Sequence, residues 1–181
     1  MTPRRTRPTA EGRARRRQGL KASIASRLKP LPHGAKYPIV SRYLTDHAIE
    51  VAALTAEVSD PGRGAVLVFL GTVRNSQEDG DVRGIDYSAY PEMADAEFDR
   101  IVGEAAARWP AARVALRHRT GYVPTGEASI AVAVAAPHRA DAYEASRYVM
   151  DETKRRVPVW KKERFGSGDA RWVANAEAAR G

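Results

Sequence analysis

The sequence contains no cysteine. That absence removes disulfides, thiolate catalysis and cysteine-ligated zinc or iron–sulfur chemistry together. The four histidines, His33, His47, His118 and His138, show no metal-ligand spacing, so no metal or other cofactor is expected. No run of about 18 apolar residues occurs, which leaves no candidate membrane span. The first residues lack the apolar stretch of a secretory signal, and the cytoplasm is the expected compartment. Acid is nearly missing from residues 1–30, which hold eight Arg and two Lys against one Glu, a balance of +9 in a chain whose net charge is +8. The remaining residues therefore carry −1, and the basicity of the chain belongs to its N-terminal tail.

That tail has few large apolar residues and cannot bury enough surface to offset the entropy of ordering itself. We expect a disordered basic extension over residues 1–36, ahead of one domain over 37–181. An Arg-rich, acid-poor arm fits an RNA- or membrane-directed segment, an organellar targeting peptide or a plain extension.

What is present in the rest is enough apolar material for a core, 43% of 181 residues. "VSRYLTDHAI" reads as an edge strand leading into a short helix, "EVAALTAEV". "AVLVFLGTV" is a nearly continuous apolar run, expected as a strand buried on both faces, with "VRGIDYSAY" as its partner. From Pro91 to Trp109, Met93, Phe98, Ile101, Val102 and Ala105 recur at helical spacing behind a first-turn proline. "RVALRHRTGYV" alternates as a strand, and "PTG" turns into "EASIAVAVAAP", a strand whose small residues let something pack close. A last helix from about Pro137 to Arg156 buries Ala142, Ala145, Val149 and Thr153, and Pro158 stops it. "VPVWKKERF" and "ARWV", separated by "GSGD", form a terminal hairpin. The expected class is α+β with mostly antiparallel pairing.

Outside the tail, cations cluster at Arg74, at His138 and Arg139, and from Lys154 to Lys162 in "TKRRVPVWKKE". His138 and Arg139 begin a helix, where positive side chains oppose the macrodipole; beside free backbone N–H groups they suit a phosphate or carboxylate. Lys154, Arg155 and Arg156 fall in a last helical turn, which the dipole stabilises. Lys161 follows Trp160 in extended chain, so one of the two faces the core side. An ammonium held there near other cations is open to a lowered pKa. His138 and Lys154, sixteen residues apart on one helix, are separated by roughly 24 Å. A single small site using both must combine the start of one helix with the end of a partner's.

The ordered pieces "VFLGTVRN", "YSAYPEMA", "RWP", "HRTGYVPTGEASIAVAVAAPHRADAYEASRYVMDETKRRVPVWKKE" and "GDARWV" resemble the large, catalytic subunit of molybdopterin synthase over about residues 38–173. The resemblance implies an α/β hammerhead fold that dimerises, with a small ubiquitin-like sulfur-carrier subunit docked at each end to give a heterotetramer. The carrier's C-terminal Gly-Gly thiocarboxylate would deliver sulfur twice to cyclic pyranopterin monophosphate, giving the dithiolene of molybdopterin in molybdenum cofactor biosynthesis. Carried over by position, the resemblance makes Lys154 and Lys161 the essential lysines and puts Phe69, Arg74 and Met150 in their pocket. It adds His138 and Arg139 from the opposite protomer. Lys154 would stabilise the thiocarboxylate and the oxyanion formed on attack, or add covalently; Lys161 would give or take a proton, with His138 a second acid/base candidate. Relatives carry a pocket arginine shortly after "RWV", where this chain has Ala174, Asn175 and Ala176; Arg171 and Arg180 are the candidates to replace it. Two rival readings are a carrier-binding scaffold without catalysis and a nucleic-acid binder using the basic tail.

Overall fold

A computed structural model describes residues 41–75 and 81–173, all within the unit Leu31–Gly181; the tail expectation for 1–36 and the Arg180 alternative lie outside them. The elements run β1 (Leu44–Thr45), α1 (Val51–Val58), β2 (Ala65–Thr72), β3 (Val82–Ala89), α2 (Pro91–Arg108), β4 (Arg113–Arg119), β5 (Gly121–Pro124), β6 (Ala128–Ala136), α3 (Arg139–Arg156), β7 (Val159–Phe165) and β8 (Ala170–Val173). Two four-stranded sheets result, ordered β1-β4-β6-β2 and β5-β3-β7-β8. Every pairing is antiparallel except the short β1–β4 contact. This is the α+β class expected. No helix among the described residues is long and apolar enough to cross a membrane.

The first sheet is built around β6, in which Ser129 to Ala136 are all buried. Alternation along the strand separates two packing surfaces. Ala131, Ala133 and Ala135 meet Leu54 and Val58 of α1, so the small residues admit a helix at close range. Ile130, Val132 and Val134 join a larger core with Phe98 and Ile101 of α2 and Ala142, Ala145 and Val149 of α3. The helices form where periodicity supplies one apolar stripe: Ala94, Phe98, Ile101 and Ala105 on α2, and Ala142, Ala145, Val149 and Thr153 on α3. Helix α3 ends at Val157, whose extended backbone precedes Pro158.

Three sequence expectations are corrected. Strand β2 is not buried on both faces but is the sheet's edge, leaving Val66, Phe69 and Leu70 at 45%, 39% and 43% exposure; an apolar run marks contact of some kind and does not say with what. Its partner is β6, while β3 lies in the second sheet between β5 and β7. "RVALRHRTGYV" is two strands in different sheets, because Gly121 adopts φ 78° and turns the chain between them.

Candidate active site

Residues of both sheets and the end of α3 surround a cavity of about 430 Å³. Each element contributes for a local reason. On β7, alternation sends Val159, Lys161 and Glu163 to the cavity side, whereas Trp160 stacks edge-on with Tyr90 at 5.6 Å and Lys162 lies 5.8 Å over the Trp172 ring on the other face. Of the two residues competing for the core side, Lys161 is the one that takes it. The last turns of α3 bring Met150, Thr153 and Lys154 to the cavity. Phe69 reaches it from the edge strand β2, and Arg74 from the chain that follows.

The three cations ending α3 divide by what they touch. Arg156 bonds Glu97 at 2.6 Å and Glu104 at 2.5 Å on α2 and Glu152 at 3.1 Å on its own helix; Arg155 pairs with Glu152. Lys154 alone of the three lines the cavity. The dipole argument for the group therefore describes Arg155 and Arg156, and the position of Lys154 assigns it differently.

Further polar side chains line the wall. Ser129 Oγ donates to the Gly71 carbonyl at 3.0 Å. Tyr87, paired across the ladder with Lys161, has its phenol pKa raised, mainly by burial. His118 presents its ring edge-on to Tyr87 at 5.3 Å, and burial, with the Lys161 charge adding to it, pushes its pKa down to about 4 against the opposing pull of the Arg119 carbonyl. Glu163 faces Arg171 of β8 at 3.5 Å. Thr153 Oγ1 is buried at this cavity without a hydrogen-bond partner among the described residues, whereas Glu163 Oε2 has the Arg171 ion pair. A concavity lined by Arg74, Lys154 and Lys161, with that unused hydroxyl, suits an anionic ligand carrying its own donors and acceptors. Among the described residues no group of three His, Asp or Glu side chains is placed to hold a metal.

Five of the seven residues singled out from sequence, Phe69, Arg74, Met150, Lys154 and Lys161, thus come together. His138 and Arg139 do not. They are exposed at the opposite end of α3, the full length of an 18-residue helix away.

The family profile described as MoaE protein matches residues 44–156, which takes in both sheets' first strands, all three helices and Lys154. The chain belongs to the MoaE family. It is 39% identical over 132 residues to the molybdopterin synthase catalytic subunit of Halalkalibacterium halodurans, covering 73% of this chain and 84% of that one. It is 41% identical over 139 residues to the subunit of the same name from Drosophila persimilis, covering 76% of this chain. There it spans only 38% of the relative's length, so much of the fly protein has no counterpart in the match. The crystal structure of molybdopterin synthase from Staphylococcus aureus superposes with a TM-score of 0.70 at 30% identity, covering 73% of this chain and 96% of that one.

Sequence reasoning passed over Tyr87, His118 and Glu163 as site residues. The signal for Glu163 was available, since it stands two residues beyond Lys161 on one strand. Tyr87 and His118 become visible only when β3 and β4, which belong to different sheets, meet at the same cavity. Of the two candidates for the missing pocket arginine, Arg171 lies beside Glu163, with its guanidinium also over the Phe165 ring at 5.2 Å.

Proposed function

We propose that this protein is the catalytic subunit of a molybdopterin synthase, moving sulfur from a small carrier's C-terminal thiocarboxylate onto cyclic pyranopterin monophosphate. The observation that carries the reading is one cavity gathering Lys154, Lys161, Arg74, Phe69 and Met150 in a chain of the MoaE family. Both reactants are anionic, and both meet cations there.

In each transfer the thiocarboxylate sulfur attacks a substrate carbon and a bond from that carbon to oxygen breaks. The carrier is then joined through its acyl group to the new sulfur. Water adds to the acyl carbon, the C–S bond breaks, and the carrier leaves as a carboxylate while sulfur stays on the pterin. Lys154 binds the thiocarboxylate and stabilises the oxyanion formed when water adds; Lys161 supplies or removes the proton. A second carrier repeats the sequence to complete the dithiolene. His138 and Arg139 enter this site from the partner of a homodimer, completing the phosphate-binding end. The exposed apolar edge of β2, Val66, Phe69 and Leu70, is the surface such a dimer would cover. Two carriers docked on that dimer give a heterotetramer working in the cytoplasm, and either Arg171, ion-paired to the cavity's Glu163, or Arg180 stands in for the relatives' pocket arginine.

The test combines the purified protein with thiocarboxylated carrier and cyclic pyranopterin monophosphate and follows dithiolene product. Lys154→Ala should lower the rate about 100-fold or more, as removal of one oxyanion-stabilising group does, while still binding carrier. A folded, carrier-bound wild type that makes no product would leave only a binding scaffold.

A further inference from the structure

His118 has no part in the roles assigned above, yet it is a polar ring, 7% exposed, in the wall of the same cavity. Its orientation is held from both sides. The backbone N–H of His118 donates to the Tyr43 carbonyl at 2.8 Å, and its Nδ1 lies 2.8 Å from the Arg119 carbonyl. A carbonyl oxygen only accepts, so Nδ1 carries the proton and Nε2 of the neutral ring is left as an acceptor. The Tyr87 ring stacks against it, and Tyr87 is the direct cross-strand neighbour of Lys161. An acceptor nitrogen and an ammonium, which has only donors to offer, therefore share one wall of one cavity.

We propose that His118 is a positioning residue: its Nε2 accepts a hydrogen bond from the Lys161 ammonium and fixes where that ammonium points during sulfur transfer. The inference rests on the catalytic reading of Lys161 for its consequence, though not for its geometry. The ring suits this task because it stays neutral beside the lysine. A protonated ring would offer donors at both nitrogens and repel Lys161. The groups facing it are Tyr87 from β3, Lys161 from β7 and the Arg119 carbonyl from its own strand.

Two amides separate the functions of the two ring nitrogens. His118→Asn keeps a donor near Nδ1 for the Arg119 carbonyl and withdraws the acceptor; His118→Gln reaches about as far as Nε2 and restores one. In full-length protein with carrier bound, His118→Asn should lower kcat roughly 10- to 100-fold, the effect of losing a hydrogen bond to a charged group, with KM nearly unchanged. His118→Gln should recover most of that loss. Acylation of Lys161 by an amine-reactive ester, read by peptide mass spectrometry, should change in the Asn variant and return to the wild-type rate in the Gln variant, with outward-facing Lys162 constant in all three. Equal damage in both variants with unaltered Lys161 reactivity would make His118 a packing residue and overturn the proposal. The nitrogen-15 signal of Nε2 in wild type should move when Lys161 is replaced by Ala, and an unmoved signal also overturns it, whether or not the Asn variant folds. Should wild type make no product, the catalytic reading fails, while Lys161 acylation and the Nε2 signal still decide the contact.

Discussion

A histidine sealed into a wall beside a lysine has an energetic consequence that reaches beyond the site. In the unfolded chain His118 takes up a proton below its ordinary value of 6.5; in the folded chain it does so only below about 4. Between those values the unfolded state binds more protons, so stability rises with pH across the window. The contribution is complete above 6.5 and is lost progressively as pH falls through 4. By pH ~4.5 the loss amounts to about 2 to 3 kcal/mol. Urea unfolding at pH 7 and pH 4.5 should therefore show wild type losing more stability on acidification than His118→Gln, by roughly that amount. Parallel losses in the two proteins would mean that His118 is not held neutral. At the same scale, Lys154 and Arg156, two positions apart on one helical turn, do unlike work, and only their partners tell them apart.

At the scale of elements, the end of α3 must be held still if Lys154 is to keep its place. Arg156 does the holding, at 19% side-chain exposure against Glu97 and Glu152 at 12% and 11%. It also holds the Glu104 carboxyl down at about 2, assisted by the Tyr148 hydroxyl. Arg156→Ala removes the cation shared by Glu97, Glu104 and Glu152, leaving Glu97 to Arg100 and Glu152 to Arg155, and should cost about 2 kcal/mol, the scale of losing hydrogen bonds to charged groups, read as a lower urea midpoint at unchanged m-value. Sulfur transfer should fall as well, because the turn carrying Lys154 frays. An unchanged midpoint would mean the network contributes no more than exposed ion pairs do. Helices of this kind were legible in the sequence because their evidence is local: Phe98, Ile101 and Ala105 repeat at helical spacing whatever lies opposite. The sheets were not. "AVLVFLGTV" has the composition of a central strand, and its edge position depends on what covers Val66 and Leu70, which no local pattern records. The alternation of "RVALRHRTGYV" runs unbroken through Gly121, so periodicity hides the point where the chain changes sheets. The site followed the same division. Lys154 and Lys161 stood out as cations near a helix end and a strand start, while Tyr87 and His118 look like ordinary strand residues until strands of two sheets meet at one cavity.

For the whole molecule, the length of α3 sets the decisive constraint. An 18-residue helix puts His138 and Lys154 at opposite ends, roughly 24 Å apart, so the seven residues cannot serve one reactant within a single protomer. In the isologous dimer proposed, each site would take Lys154 from one protomer and Arg139 from the other. That arrangement predicts complementation between two inactive proteins. Lys154→Ala and Arg139→Ala should each be deficient alone. In a mixed dimer, one site receives both altered residues and the other receives neither, so one site is fully restored. Random exchange makes half of the dimers mixed, and with one working site in each the mixture should recover about a quarter of wild-type activity per protomer. Mixing Lys154→Ala with Lys161→Ala separates the geometries further, because those two residues line the same cavity of one chain. Every site in that mixed dimer then lacks one lysine or the other, and no recovery is expected. Recovery in the first mixture and none in the second assigns Arg139 to the partner's site. Recovery in neither, with subunit exchange demonstrated by mass spectrometry of labelled chains, would confine the site to one protomer and leave Arg139 outside it.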